Sequence, residues 1–371
     1  MTLKRKIIND PVYDGFLSID DPVILQVIEH PYFQRQRRIK QLGLTYLVYP
    51  GAMHTRFSHM LGALNLMGRA LEVLRQKGVE ISDEECRGAK LAILLHDLGH
   101  GPFSHTSERV LVDVPHEEIT LLMMQKINQE MGGVLDIAIE IFANRYHKHF
   151  LHQLVSSQLD MDRLDYLGRD SFFTGVSEGI VGTDRIISML NVHDDELVID
   201  EKGIYSVEKF IISRRLMYWQ VYMHKTVIAA DNLLLNILRR AKEISVSPFT
   251  FQLSPFDLDR FAEVDDDDIM VAVKHWQHSD DEILGTLCRN MVNRRLPAIR
   301  FSNTPFEGVE DDYFHGTGEL RNRSYDFNDQ EIKVLYKDGR CLPISEASDQ
   351  LDRHFLEKQV TKYFMYYPKN S

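Results

Sequence analysis

Apolar positions along the chain recur mostly at helical spacing, with short strand-like runs near its start and in its last third. Lys6-Ile7-Ile8 and Phe16-Leu17-Ser18-Ile19 flank a turn through Asn9-Asp10-Pro11 to Asp14-Gly15, which predicts a short hairpin. Helices then dominate. Asp21-Pro22 supplies an N-cap and a first-turn proline for a helix that Pro31 closes. A basic segment follows from Phe33 to Gln41, and Thr55 stands where it can cap a helix running through His59 to about Leu74. Ser82-Asp83-Glu84-Glu85 reads as a capping box. The helix it opens carries the apolar run Leu91-Ala92-Ile93-Leu94-Leu95, which ends on His96-Asp97 and the turn Gly99-His100-Gly101-Pro102. Further helices are predicted after Pro115 and from about Ala138 to Arg145. Val207 to Ile244 has neither proline nor glycine and is predicted as one long helix. On it Arg214, Tyr218, Tyr222 and Lys225 fall within about 80° of one face. Periodicity alone leaves two readings of that face: a solvated surface with half-buried tyrosines, or a contact face for phosphate and sugar.

The texture changes after residue 246. Ser247-Pro248 and Ser254-Pro255 are breakers, and Glu263 to Asp268 reads as a solvated acidic N-terminal turn. Ala298 to Phe301, Ile332 to Tyr336 and Tyr363 to Tyr367 are strand-like, with a turn at Asp338-Gly339. The expectation is a mostly α protein: a helical core over residues 1–245 with a short N-terminal hairpin, and a small α+β lobe over 246–371.

Of 371 residues, 44% are hydrophobic and 26% charged, the make-up of an ordinary soluble globular protein. No apolar run approaches the ~20 residues that span a bilayer. The basic start, Met1 to Lys6, has no apolar segment behind it and is not read as a signal peptide. Cys86, Cys288 and Cys341 form neither a disulfide framework nor a zinc pattern, so a cytoplasmic location is expected. A net charge of −12 argues against nucleic acid as a partner, but leaves room for a local basic pocket that takes a phosphorylated small molecule.

Candidate chemistry gathers around His59, His96, Asp97 and Asp162. Two imidazoles and two carboxylates suit a divalent cation such as Mn, Fe, Mg, Ni or Zn, with open positions for water and phosphate oxygen. Asp162 shares its segment with Asp165 and Asp170. If that helix is buried, its carboxylates need a cation, either a metal or the neighbouring arginines. If it is exposed, pairs such as Asp165–Arg169 suffice. His100, His105 and His116 read singly as structural histidines. As a group they are imidazoles able to bind phosphate or move protons.

The blocks Gln41-Leu42, His54 to His59, His96 to His105, His116-Glu117, and Asp162 to Tyr166 through Asp170 resemble the HD-domain superfamily of metal phosphohydrolases. More narrowly, they resemble its deoxynucleoside triphosphate triphosphohydrolase (dGTPase-like) branch, without the sterile-alpha-motif domain that mammalian members carry. The resemblance implies that His59, His96, Asp97 and Asp162 ligate the metal and that His116, with Glu117 beside it, is the catalytic acid. By the same likeness His100, His105, Arg56, Arg163 and Arg214 contact phosphates. Tyr166 and Asp170 hold the 3′-hydroxyl with help from Gln41, while Leu42 and Tyr222 close the space a 2′-hydroxyl needs. Water would then attack the α-phosphorus of a dNTP, yielding a deoxynucleoside and triphosphate. Arg163 and Met223 depart from the mammalian pattern, which has lysine and glutamine there. Asn9, Gln34 and Arg37 match parts of a regulatory nucleotide site between subunits, and Glu29 stands where regulated relatives carry aspartate. A nucleotide activator and a homo-oligomer, dimer or tetramer, are implied. The rival readings are another HD activity, a phosphodiesterase or nucleotidase on a monophosphate, and a nucleotide-sensing protein with vestigial hydrolysis.

Overall fold

A computed structural model describes residues 5–13, 15–112, 114–246, 256–309, 312–322, 325–327 and 330–369. The breakers Ser247-Pro248 and Ser254-Pro255, the turn residue Asp14 and the first four residues, Met1 to Lys4, lie outside the described residues. The fold is mostly α. The N-terminal hairpin forms as expected, β1 (Lys6–Asn9) pairing antiparallel with β2 (Phe16–Ile19). Helix α1 (Pro22–Glu29) starts where the Asp21 side chain accepts the amides of Val23 and Ile24, and α2 (Pro31–Arg35) follows at once.

Helix α3 (Arg56–Gln76) begins after Thr55, but the Thr55 side chain makes no cap bond, contrary to expectation. Backbone pairing fixes this start instead, with Arg56 N donating to Ile39 O at 2.9 Å and Gln41 N to His54 O at 3.0 Å. Helix α4 (Asp83–Leu95) has the full reciprocal box, Ser82 accepting from Glu85 N and Glu85 from Ser82 N. Its apolar run from Leu91 to Leu95 is wholly buried. The chain continues through α5 (His105–Leu111), α6 (His116–Glu130), α7 (Asp136–Phe142), α8 (His149–Val155), α9 (Met161–Thr174) and α10 (Thr183–Met189). Helix α7 stops short of Arg145 because Asn144 turns left-handed, with φ 56°.

The expected single helix from Val207 to Ile244 is broken. Helix α11 (Ile204–Met217) runs into a π-helical turn over Tyr218–Tyr222, and α12 (Lys225–Glu243) restarts after it. His224, in extended backbone, caps the restart by accepting from Thr226 N. Composition gave no warning, since the cause is tertiary. Tyr49 Oη donates to the carbonyl of Gln220 at 2.6 Å, and Tyr222 Oη to Asp170 Oδ2 at 2.7 Å. Such turns gather at functional sites.

A hairpin that the sequence did not signal, β3 (Leu190–His193) with β4 (Glu196–Asp200), precedes α11. After α12 come α13 (Leu258–Glu263), α14 (Asp266–Trp276), α15 (Glu282–Val292), β5 (Ala298–Ser302), β6 (Gly316–Asn322), β7 (Lys333–Leu335), β8 (Cys341–Pro343) and β9 (Val360–Tyr367). One sheet has the order β5-β9-β6 and another β3-β4-β7-β8. In the second, β4 runs parallel to β7 with Val198 opposite Lys333, so hydrogen bonding crosses the 245/246 division. The main hydrophobic core likewise holds Leu98, Leu167, Phe210, Ile237, Trp276 and Val334 together.

The acidic run is not wholly solvated: Asp265 and Asp266 are buried. Asp266 accepts from Lys40 N at 3.0 Å and from Phe103 N at 2.9 Å, fastening α14 to the glycine-rich turn. Among the described residues no helix is long and apolar enough to cross a membrane.

Candidate metal centre

Three separated segments deliver the candidate ligands. His59 lies in the first turn of α3, His96 ends α4 with Asp97 directly after it, and Asp162 lies in the first turn of α9. His59, His96 and Asp97 each present a ligand atom, and these atoms lie within 4.8 Å of one another. Asp162 Oδ1 joins them, 3.0 Å from His59 Nε2 and 3.3 Å from His96 Nε2.

The imidazole tautomers follow from their outer partners. His59 Nδ1 faces Asp165 Oδ2 at 2.7 Å, and His96 Nδ1 faces the Ile93 carbonyl at 2.6 Å. Both partners only accept, so each Nδ1 carries the proton and each Nε2 lone pair turns inward. The two Nε2 atoms are 3.4 Å apart, facing two carboxylates. Lone pairs and anions so arranged repel unless a cation sits among them, and this donor set fits a divalent metal.

The electrostatics agree. Burial lowers the pKa of His59, but Asp162 and Asp165 outweigh it and push the group up to about 10. Asp97 and Asp162 likewise raise His96 against burial. Asp97, despite burial, is held well below the usual carboxylate range by Arg56, His96 and His100. A site that attracts a proton so strongly would exchange it for a metal ion.

Around the ligands, Arg56 pairs with Asp97 through Nη1 and donates from Nη2 to Ser104 Oγ at 2.6 Å, so it faces a ligand carboxylate here. Phe103 and Ser104 adopt φ of 53° and 48°, a costly conformation held in place by Asp266 and Arg56. His100 Nε2 lies 3.4 Å from Asp97 Oδ1, and its ring stacks on His116 with centroids 4.0 Å apart. That approach depends on Gly99, where a Cβ would stand 2.0 Å from the His116 carbonyl. Glu108, which no motif in the sequence marked, spans the pair, with Oε1 2.9 Å from His100 Nδ1 and Oε2 3.5 Å from His116 Nδ1. His116 Nε2 is 3.2 Å from Glu117 Oε1. Burial works against the charged form of His116, yet Glu108 and Glu117 raise its pKa, whereas burial and Arg56 lower that of His100. The side chain of His105 lies outside the described residues.

On the α9 side, Asp170 is buried and takes Tyr222 Oη at 2.7 Å and His54 Nε2 at 2.8 Å. Tyr222 packs edge-on against Tyr166 and Tyr218. Arg163 pairs with Asp160, and Arg214 reaches Gln158 at 3.5 Å. The Nε atoms of both arginines and Oε1 of Gln41 are buried with no partner among the described residues. Leu42 packs half-buried against the core. Farther away, Arg37 Nε donates to Gln34 Oε1 at 2.9 Å, its guanidinium 3.5 Å over the Phe57 ring. Glu29 lies 3.7 Å from Lys6 Nζ on β1, the strand that ends at Asn9.

A family model described as HD domain matches residues 56–170, and one described as HD associated region matches 181–317. The first runs from Arg56 to Asp170 and encloses all four candidate ligands. The chain is 34% identical to the uncharacterized protein YwfO of Bacillus subtilis, over 99% of this chain and 93% of that protein. Its structure is similar to a crystal structure of a phosphohydrolase from Bacteroides thetaiotaomicron, at TM-score 0.93 and 45% identity, covering 99% of this chain and 100% of that one. It is also 29% identical to the human deoxynucleoside triphosphate triphosphohydrolase SAMHD1, over 64% of this chain and 45% of that protein, so it spans less than half of that relative's length. With the paired histidine and aspartate ending α4 and both family models matched in order, the chain belongs to the HD-domain superfamily of phosphohydrolases.

Proposed function

We propose that the protein is a metal-dependent triphosphohydrolase that cleaves a dNTP to a deoxynucleoside and inorganic triphosphate. One observation carries this reading. The candidate ligands stand beside a wall of Tyr166, Tyr222 and Asp170, and beside Arg163 and Arg214, whose buried Nε atoms have no partner among the described residues. That combination suits a polyphosphate attached to a sugar.

A divalent cation held by His59, His96, Asp97 and Asp162 would polarise phosphate oxygens and lower the pKa of water. Arg163 and Arg214 would bind the triphosphate, whose charge of roughly −4 needs several cations. Asp170 would accept the 3′-hydroxyl, and Leu42 and Tyr222 would leave no room for a 2′-hydroxyl. His116, its proton retained by Glu108 and Glu117, would give that proton to the departing 5′-oxygen. His100, whose pKa is lowered, would serve as a hydrogen-bonding neighbour to phosphate. The similarity to SAMHD1 supports the substrate class.

The test incubates purified protein with Mn²⁺ or Mg²⁺ and each dNTP, singly and mixed, and resolves products by anion exchange. Intact triphosphate with deoxynucleoside is expected. Release of orthophosphate or a monophosphate would transfer the assignment to another HD activity.

A further inference from the structure

Beneath the metal centre lies a buried polar cluster that the proposed chemistry does not use. Asp165 on α9 is fully buried and accepts four hydrogen bonds. One comes from His59 Nδ1 at 2.7 Å, and one from Tyr13 Oη at 2.6 Å, delivered to Oδ1. The others come from Arg169, Nε at 2.8 Å and Nη2 at 3.0 Å. Arg169 is fully buried too, and its outer edge forks onto Asp10, Nη1 at 3.1 Å and Nη2 at 2.7 Å. Asp10 and Tyr13 both belong to the turn between β1 and β2, which Asp10 braces by accepting from Val12 N at 3.0 Å. The cluster fits only because α3 carries Gly62 at the crossing: a Cβ there would stand 2.0 Å from Asp165 Oδ1 and 2.1 Å from Arg169 Nη2.

A buried carboxylate with a single partner can rotate; one held by three side chains, one of them through two bonds, cannot. We infer that the turn of the N-terminal hairpin is a positioning element for the metal centre. Tyr13 and the Asp10–Arg169 pair hold Asp165, and Asp165 holds His59 with Nε2 turned toward the metal. Outer partners of a metal-bound histidine fix its tautomer and raise its basicity, and their loss typically weakens metal binding about 10- to 100-fold. The charges accord with this role. Arg169 offsets one of its two carboxylates, leaving one negative charge to polarise the His59 ring. A hairpin remote in sequence thereby sets the affinity of the metal site, and whatever shifts that turn shifts the metal.

The inference rests on His59 being a metal ligand, and the test separates the two claims. Full-length wild type, Tyr13→Phe and Asp10→Asn are titrated with Mn²⁺, with free ion followed by electron paramagnetic resonance. Each is also melted in EDTA. Both variants are expected to melt close to wild type without metal and to bind Mn²⁺ about tenfold more weakly. Should Tyr13→Phe fail to fold, Asp10→Asn alone decides. Wild-type affinity in the folded variants overturns the inference and leaves the metal reading intact. So does a loss of affinity that merely follows a loss of stability. A wild type that takes up no Mn²⁺ overturns both.

Discussion

At the scale of single residues, the lone pairs of His59 and His96 face Asp97 and Asp162 across distances a cation must bridge. His96→Ala or Asp97→Ala is therefore expected to abolish both metal content and turnover in a protein that remains folded, as elemental analysis and circular dichroism would show. His116 makes a pH prediction. Glu108 and Glu117 raise its pKa over the opposing effect of burial, so the proton it donates is fully present below that pKa and lost above it. Turnover should decline as pH climbs through that raised pKa, above where an ordinary imidazole titrates, while His116→Gln costs about 10²- to 10⁴-fold in kcat and loses that limb. Tyr222→Ala should narrow the preference for dNTPs over rNTPs, measured as the ratio of kcat/KM values. A wild type that hydrolyses ATP as readily as dATP would show there is no such wall.

At the scale of elements, α4 connects sequence to site most directly. Its capping box fixes where it starts, its apolar run anchors it in the core, and the glycine-rich turn after it frees the backbone beside Asp97. Ser82→Ala should cost about 1 kcal/mol and Leu94→Ala about 2–5 kcal/mol in chemical denaturation. If Leu94→Ala proves neutral, the helix is not the anchor its burial implies. The π-helical turn is the contrasting case. Nothing local breaks the segment from Val207 to Ile244. The turn arises because Gln220 and Tyr222 meet Tyr49 and Asp170, contacts from elsewhere in the fold. The face drawn by a regular helix through Arg214, Tyr218, Tyr222 and Lys225 is therefore interrupted before Lys225.

At the scale of the whole molecule, the C-terminal segment is joined to the helical core by a shared sheet and shared apolar packing, with Asp266 pinning α14 to the turn beside the metal centre. Assembly belongs to this scale as well. Asn9, Glu29, Gln34 and Arg37 lie near the hairpin and α1, where a nucleotide between subunits would favour the oligomer by mass action. The expectation is a homo-oligomer whose turnover of one dNTP rises with a second nucleotide, and an Arg37→Ala variant that loses this activation while keeping its metal. A monomer in light scattering, indifferent to every added nucleotide, would rule this out.

Local signals determined what depends on near neighbours: the hairpin, the capped starts of α1 and α4, the mostly helical class, and the residue types able to bind a metal. Motif order was enough to point to the superfamily. Tertiary structure decided the rest, because partners far apart in sequence leave no local periodicity. Asp165 forms the helical pair with Arg169 that its spacing allowed, but Tyr13 and His59, from other segments, converge on the same carboxylate. His54 became a partner of Asp170, and Glu108 a link between His100 and His116, only through packing. The acidic run at Glu263 to Asp268 read as solvated because charge predicts exposure, whereas two of its carboxylates are buried. Asp266 is satisfied there by the backbone amides of Lys40 and Phe103, donors that no sequence pattern reveals.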